Sequence, residues 1–111
     1  MRDVRYLNIL PAENPVCRSK GLNLLLMVDN RGEAAAAVVR FYGSDGTGWR
    51  EIYAGKKEFP GQTHVHAYFY LPPACFAPEM WDGEELEELA IWAGEAPPPP
   101  GEEGQLLFFI P

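Results

Sequence analysis

The sequence predicts an all-β chain, a single antiparallel β-sandwich of about seven strands spanning residues 1–111 as one domain, with long acidic and proline-rich loops. Three observations carry that expectation. Seven apolar runs have strand length and carry many β-branched and aromatic residues. Clusters of Gly, Pro, Asn and Asp separate the runs at fairly regular spacing, as in sandwiches. Finally, 111 residues are enough for one core that buries roughly two-thirds of the unfolded surface without metals or disulfides.

The runs follow in order. VRYLNIL at 4–10 is closed by PAENP, and LNLLLMVD at 22–29 ends at a turn centred on DNRG. AAAVVRFY at 35–42 begins in an alanine run of helical propensity, but the VVRFY that follows is β-branched and aromatic, so sheet is expected to win. WREIYA at 49–54 comes after the turn GSDGTG, and GKKEFPGQ is read as the next turn. THVHAYFYL at 63–71, ELAIWA at 88–93 and QLLFFI at 105–110 complete the set. The single helical candidate is PEMWDGEELEEL, where Asp82 can cap one acidic turn within a loop. PPPP at 97–100 reads as a stiff polyproline spacer between two strands.

The turn chemistry is self-explanatory. Gly32, two residues after Asn30, suits a positive φ in a tight turn. Pro60 followed by Gly61 suits a type II turn, with proline fixing the first central φ and glycine tolerating the second. GSDGTGW opens a strand rather than a helix, so it is not a phosphate-cradling loop.

The stretch LLLMVDNRGEAAAAVVRFYGSDG, then a short strand, then FPGQTHVHAYFYLP, resembles the bacterial Ig-like sandwiches of the CARDB type. The matching positions are Asn30, Gly32, Ala34, Pro60 and Gly61, over residues 22–71. The resemblance implies an Ig-like sandwich and an adhesion or spacer role, with no catalytic residues to carry over.

Charge narrows the partners. Nine Lys and Arg against 16 Asp and Glu give a net charge of -7, which repels phosphate backbones and anionic headgroups, so neither nucleic acid nor a membrane surface is an expected partner. The N-terminus, MRDVRYLNILPAENP, lacks an apolar run of signal-peptide length, and no stretch is long enough to span a bilayer. The expectation is a protein that enters no secretory route by itself, either cytoplasmic or exported by a non-classical path. Cys17 and Cys75 have no Cys-x-x-Cys or Cys/His spacing and read as two free thiols, with a disulfide tying their loops as the alternative.

The only two histidines, His64 and His66, share one strand face, where two imidazoles can in principle chelate an ion. In THVHAYFYL, however, Thr63, Val65, Ala67, Phe69 and Leu71 make the natural core face, which turns His64, His66, Tyr68 and Tyr70 outward. No carboxylate or cysteine nearby in sequence completes a tetrahedral site, and no D-x-D-x-D-G spacing offers calcium one. No metal, cofactor or catalytic residue is therefore expected.

Face parity raises a further point. In LNLLLMVD, Leu22, Leu24, Leu26 and Val28 fit the core, leaving Leu25 and Met27 outward on a strand that should pair with the histidine strand. On the other sheet Ala37, Val39, Phe41, Leu89, Ile91, Leu106, Phe108 and Ile110 fit the core, and Val38, Arg40, Tyr42, Trp92, Leu107 and Phe109 turn out. Solvent faces of antiparallel sheets are ordinarily polar, so apolar and aromatic outer faces imply a partner. The expected function is that of a non-catalytic structural or interaction protein, bound to copies of itself or to a larger assembly through apolar-aromatic outer sheet faces or a terminal strand, with the C-terminal QLLFFIP a principal element. Its expected surface comprises Leu25, Met27, Tyr42, His64, His66, Tyr68, Tyr70, Trp92, Leu107 and Phe109. A carbohydrate-binding module, with Tyr, Trp and His of one face stacking on a glycan, is the second reading.

Overall fold

The computed structural model describes residues 4–12, 18–44, 48–76, 89–97 and 108–110, of which 18, 89 and 108–110 are described by backbone alone. Within these residues the chain is all-β, with strands β1 (Val4–Pro11), β2 (Leu22–Asn30), β3 (Ala35–Ser44), β4 (Arg50–Phe59), β5 (Thr63–Leu71), β6 (Leu89–Gly94) and β7 (Phe108–Ile110). Short 3-10 turns stand at Arg18–Lys20 and Pro73–Cys75. The acidic candidate turn around Asp82 lies outside the described residues.

Two antiparallel sheets form, in the orders β1-β2-β5 and β4-β3-β6-β7. Alternation explains why they pack. β2 buries Leu22, Leu24, Leu26 and Val28, β5 buries Ala67, Phe69 and Leu71, and β3 buries Ala37, Val39 and Phe41. Each set repeats every second residue, so a strand presents all of it to one side. Ile91 and Ala93 of β6 and Phe59 of β4 join them in one cluster. Across the layers Phe41 meets Phe69 edge to face, with ring centroids 4.9 Å apart. This geometry sets the positive ring edge against the negative face.

The alanine run does adopt sheet, since β3 starts at Ala35. GKKEFPGQ, in contrast, is not a turn throughout: β4 continues through Gly55, Lys56, Lys57, Glu58 and Phe59, paired along β3 back to Ala35. Gly and Lys disguise a strand whose alternation is intact, because the lysine at a core-facing position need not bury its charge. Lys57 lays its ammonium 5.1 Å from the centroid of the Phe69 ring at the margin of the core. Gly55 leaves space there, where a Cβ would stand 3.2 Å from both the Phe69 and the Tyr53 rings.

The turns differ from expectation in which residue bears the unusual backbone. Gly32 is not among the residues with positive φ, and after Pro60 it is Gln62 that takes φ 60° rather than Gly61. Gly61 is required for a different reason: a Cβ on it would lie 2.7 Å from the Ala34 amide nitrogen and 2.8 Å from the Gly32 carbonyl oxygen. Two chain segments meet there too closely for any side chain.

Candidate functional site

The outer face of the β1-β2-β5 sheet is assembled by register. β2 lies in the middle, its Leu25 opposite Leu10 of β1 and Tyr68 of β5. The next row is Asn8, Met27 and His66, the row after it Arg5, Asp29 and His64, and at the other end Asn23 stands opposite Tyr70. Leu25 and Met27 are half-buried by their neighbours, while His64 and His66 are exposed. Tyr68 is 61% exposed, Tyr70 47% and Leu10 38%. Of the large hydrophobic residues exposed among the described residues, only Val38 lies on the other sheet. Six residues expected at an interaction surface, Leu25, Met27, His64, His66, Tyr68 and Tyr70, thus share one contiguous face.

Leu10 belongs to that face although simple alternation along β1 would group it with Val4 and Tyr6. The register shifts between Tyr6 and Asn8, leaving Leu7 as an extra residue. Such a bulge reverses the faces beyond it, so Val4 and Ile9 are both buried and Leu10 turns outward. Nothing in VRYLNIL marks the bulge in advance.

The outer face of the second sheet is different in character. Val38 is 43% exposed, but beside it Arg40 donates to Glu51 at 2.9 Å in an exposed ion pair. Tyr42, expected outward and available, is only 8% exposed. Phe41, Tyr42, Gly43 and Ser44 are all buried, so this end of β3 is covered on both faces, with Tyr42 held between its register partners Glu51 and Trp92. Trp92 is half-buried, and its indole N–H donates to the Ala96 carbonyl at 3.0 Å. Phe109 lies in β7 with its backbone paired to Ala90. Leu107 falls outside the described residues.

The chemistry available on these faces is limited. His64 faces Asp29 across the sheet, but the Asp29 carboxylate accepts from Arg31 Nε at 2.9 Å. Among the described residues no three His, Cys, Asp or Glu side chains converge as metal ligands would. A shallow open groove is lined by Ala34, Ala35, Ala36, Glu58, Phe59 and Pro60, where Glu58 is the one titratable side chain. Cys75 is a free thiol whose pKa burial pushes up, which disfavours the nucleophilic thiolate. Cys17 lies outside the described residues; the Arg18–Lys20 turn that follows it in sequence lies near the Pro73–Cys75 turn. The buried Tyr6 hydroxyl has no hydrogen-bond partner among the described residues, and desolvation, with a smaller contribution from Glu95, raises its pKa to about 12. No helix among the described residues is long and apolar enough to cross a membrane.

Comparison with known proteins adds no assignment: no family model matches the sequence, and no curated protein is significantly similar to it.

Proposed function

We propose that this chain is a non-catalytic interaction module, an Ig-like subunit that self-associates or docks onto a larger protein assembly. The observation that carries the reading is the row Leu10, Leu25 and Tyr68, flanked by Met27 and Tyr70, on a sheet face turned to solvent. An apolar and aromatic face of this kind loses free energy to hydration until something covers it. The Ig-like type is supported by connectivity. The chain crosses between sheets from β2 to β3, from β4 to β5 and from β5 to β6, with hairpin pairings β3-β4 and β6-β7 in one sheet. That order is the constant-type Ig order with the fourth strand moved to the opposite sheet. The terminal strand β7 is a second docking element, because its outer edge is the end of the four-stranded sheet.

One observation favours a second reading. Tyr68 and Tyr70 stand two residues apart on the same face and are both well exposed, which suits stacking against sugar rings. A carbohydrate-binding module would work as a monomer, and mass in solution separates the two readings. Sedimentation equilibrium should show a mass that rises with concentration. Leu25→Ser combined with Tyr68→Ser should weaken association at least tenfold while the thermal transition stays cooperative, since both side chains lie outside the core. A strictly monomeric chain that binds a soluble polysaccharide, and loses it with Tyr68→Ala and Tyr70→Ala, would replace the first reading by the second.

A further inference from the structure

Among the described residues the two sheets have four edge strands, β1 and β5 in one and β4 and β7 in the other. A free edge offers a row of unpaired N–H and C=O groups to any passing strand, and proteins ordinarily blunt it with bulges, proline, charge or brevity. Two of these edges are blunted. β1 has its bulge at Leu7 and ends in Pro11. β4 carries Arg50, Glu51, Lys56, Lys57 and Glu58 and is bulged where its pairing to β3 shifts. β7 is described over Phe108–Ile110 only.

β5 has none of these devices. It runs nine residues, THVHAYFYL, in unbroken register with β2 from Leu71 to Thr63, without proline, lysine, arginine, aspartate or glutamate. We propose that the free edge of β5 pairs antiparallel with β5 of a second copy of this chain, about a two-fold axis at Ala67. This rests on the interaction reading above and names its partner and geometry.

The choice of a second copy follows from charge. In a two-fold contact each strand faces itself, so any carboxylate or ammonium near the axis would meet its own kind. In a chain of net charge -7, the nine-residue edge of β5 is the longest uncharged edge strand among the described residues, and two copies approach on it without that penalty. The axis at Ala67, the central residue of β5, pairs the whole strand: Thr63 with Leu71, His64 with Tyr70, Val65 with Phe69 and His66 with Tyr68 of the second copy. Residues of the same parity meet, so core-facing positions stay opposite core-facing ones. Half-buried Val65 gains Phe69 as a neighbour, and each imidazole gains a phenol. The row Leu10, Leu25, Tyr68 then continues into His66 and Met27 of the second copy, making the two apolar faces one surface. Lys57, whose ammonium stands 5.1 Å from the Phe69 ring centroid, belongs to β4 of the other sheet.

Cysteine crosslinking tests the register in a Cys17→Ser, Cys75→Ser background. Directly opposed residues of antiparallel strands have Cα atoms about 4.5–5.5 Å apart, within disulfide reach, whereas diagonal ones at about 7–8 Å are not. A His66→Cys variant mixed with a Tyr68→Cys variant should therefore form covalent heterodimers on mild oxidation, and neither alone should link efficiently. Hydrogen exchange on the unmodified protein should show β5 amides gaining at least tenfold protection between low and high micromolar concentration, with β4 amides unchanged. Self-association without β5 protection or without the mixed crosslink overturns the edge pairing and leaves the interaction module intact. A chain that stays monomeric at every concentration overturns the pairing, and the interaction reading then depends on a different partner.

Discussion

Asn30 shows how a loose motif becomes a specific structural demand. Its side chain is 1% exposed, and its Nδ2 donates to the carbonyls of Glu33, Phe59 and Pro60 at 3.0, 3.3 and 3.1 Å. Its Oδ1 accepts from the Gly32 amide at 3.0 Å. One amide thus folds the β2–β3 turn on itself and fastens it to the corner between β4 and β5. The sequence singles out Asn-x-Gly as a turn, but the second half of the role depends on a segment about thirty residues away and has no local signature. Asn30→Ala should cost roughly 3 kcal/mol, because it leaves buried carbonyls and an N–H unpaired. Asn30→Asp is nearly isosteric and should cost at least as much at neutral pH, since a carboxylate cannot donate and would face three carbonyl oxygens. Part of that loss should return on acidification, when the carboxyl regains a proton. Urea unfolding at pH 7 and pH 4 measures both variants, and a neutral Asn30→Asp would mean the network is not holding the loops.

Strands were legible where alternation was clean. β2 and β5 repeat apolar residues at every second position, and their core faces follow from the sequence alone. β4 beyond Ala54 was not legible because Gly55 and Lys57 occupy core-facing positions, one to admit the Phe69 ring and the other to lay its cation over it. In β1 the bulge shifts parity, which concealed Leu10. Parity in β5 is open to direct test through two adjacent residues. Phe69 is 6% exposed and packs on Phe41, whereas Tyr68 is 61% exposed. Phe69→Ala should cost roughly 3–5 kcal/mol for the cavity it opens, and Tyr68→Ala should stay within about 0.5 kcal/mol. Denaturation midpoints of the pair decide it, and equal losses would mean that β5 is buried on both faces.

For the whole molecule, the sequence assigns a face to each strand, while sheet order decides which faces adjoin. The row from Leu10 to Tyr68 therefore emerges only once β1, β2 and β5 are placed side by side, and Tyr42 leaves the expected surface because both faces at its end of β3 are covered. The same scale sets the response to salt. Two copies that each carry a net charge of -7 repel one another at long range, although the proposed β5 contact contains no formal charge at neutral pH. The Debye length falls from tens of ångströms at about 0.01 M to roughly 3 Å at 1 M, so added salt removes the repulsion while leaving backbone pairing and apolar burial in place. Dimerisation should accordingly tighten several-fold between about 0.02 and 0.5 M sodium chloride at constant pH. Association through charge-complementary patches, such as the Arg40–Glu51 region of the second sheet, would weaken over the same range. The sign of the salt dependence, measured by sedimentation equilibrium, therefore separates an apolar and backbone-paired interface from an electrostatic one, and a dimer that dissociates as salt rises would rule out the β5 edge as its seat.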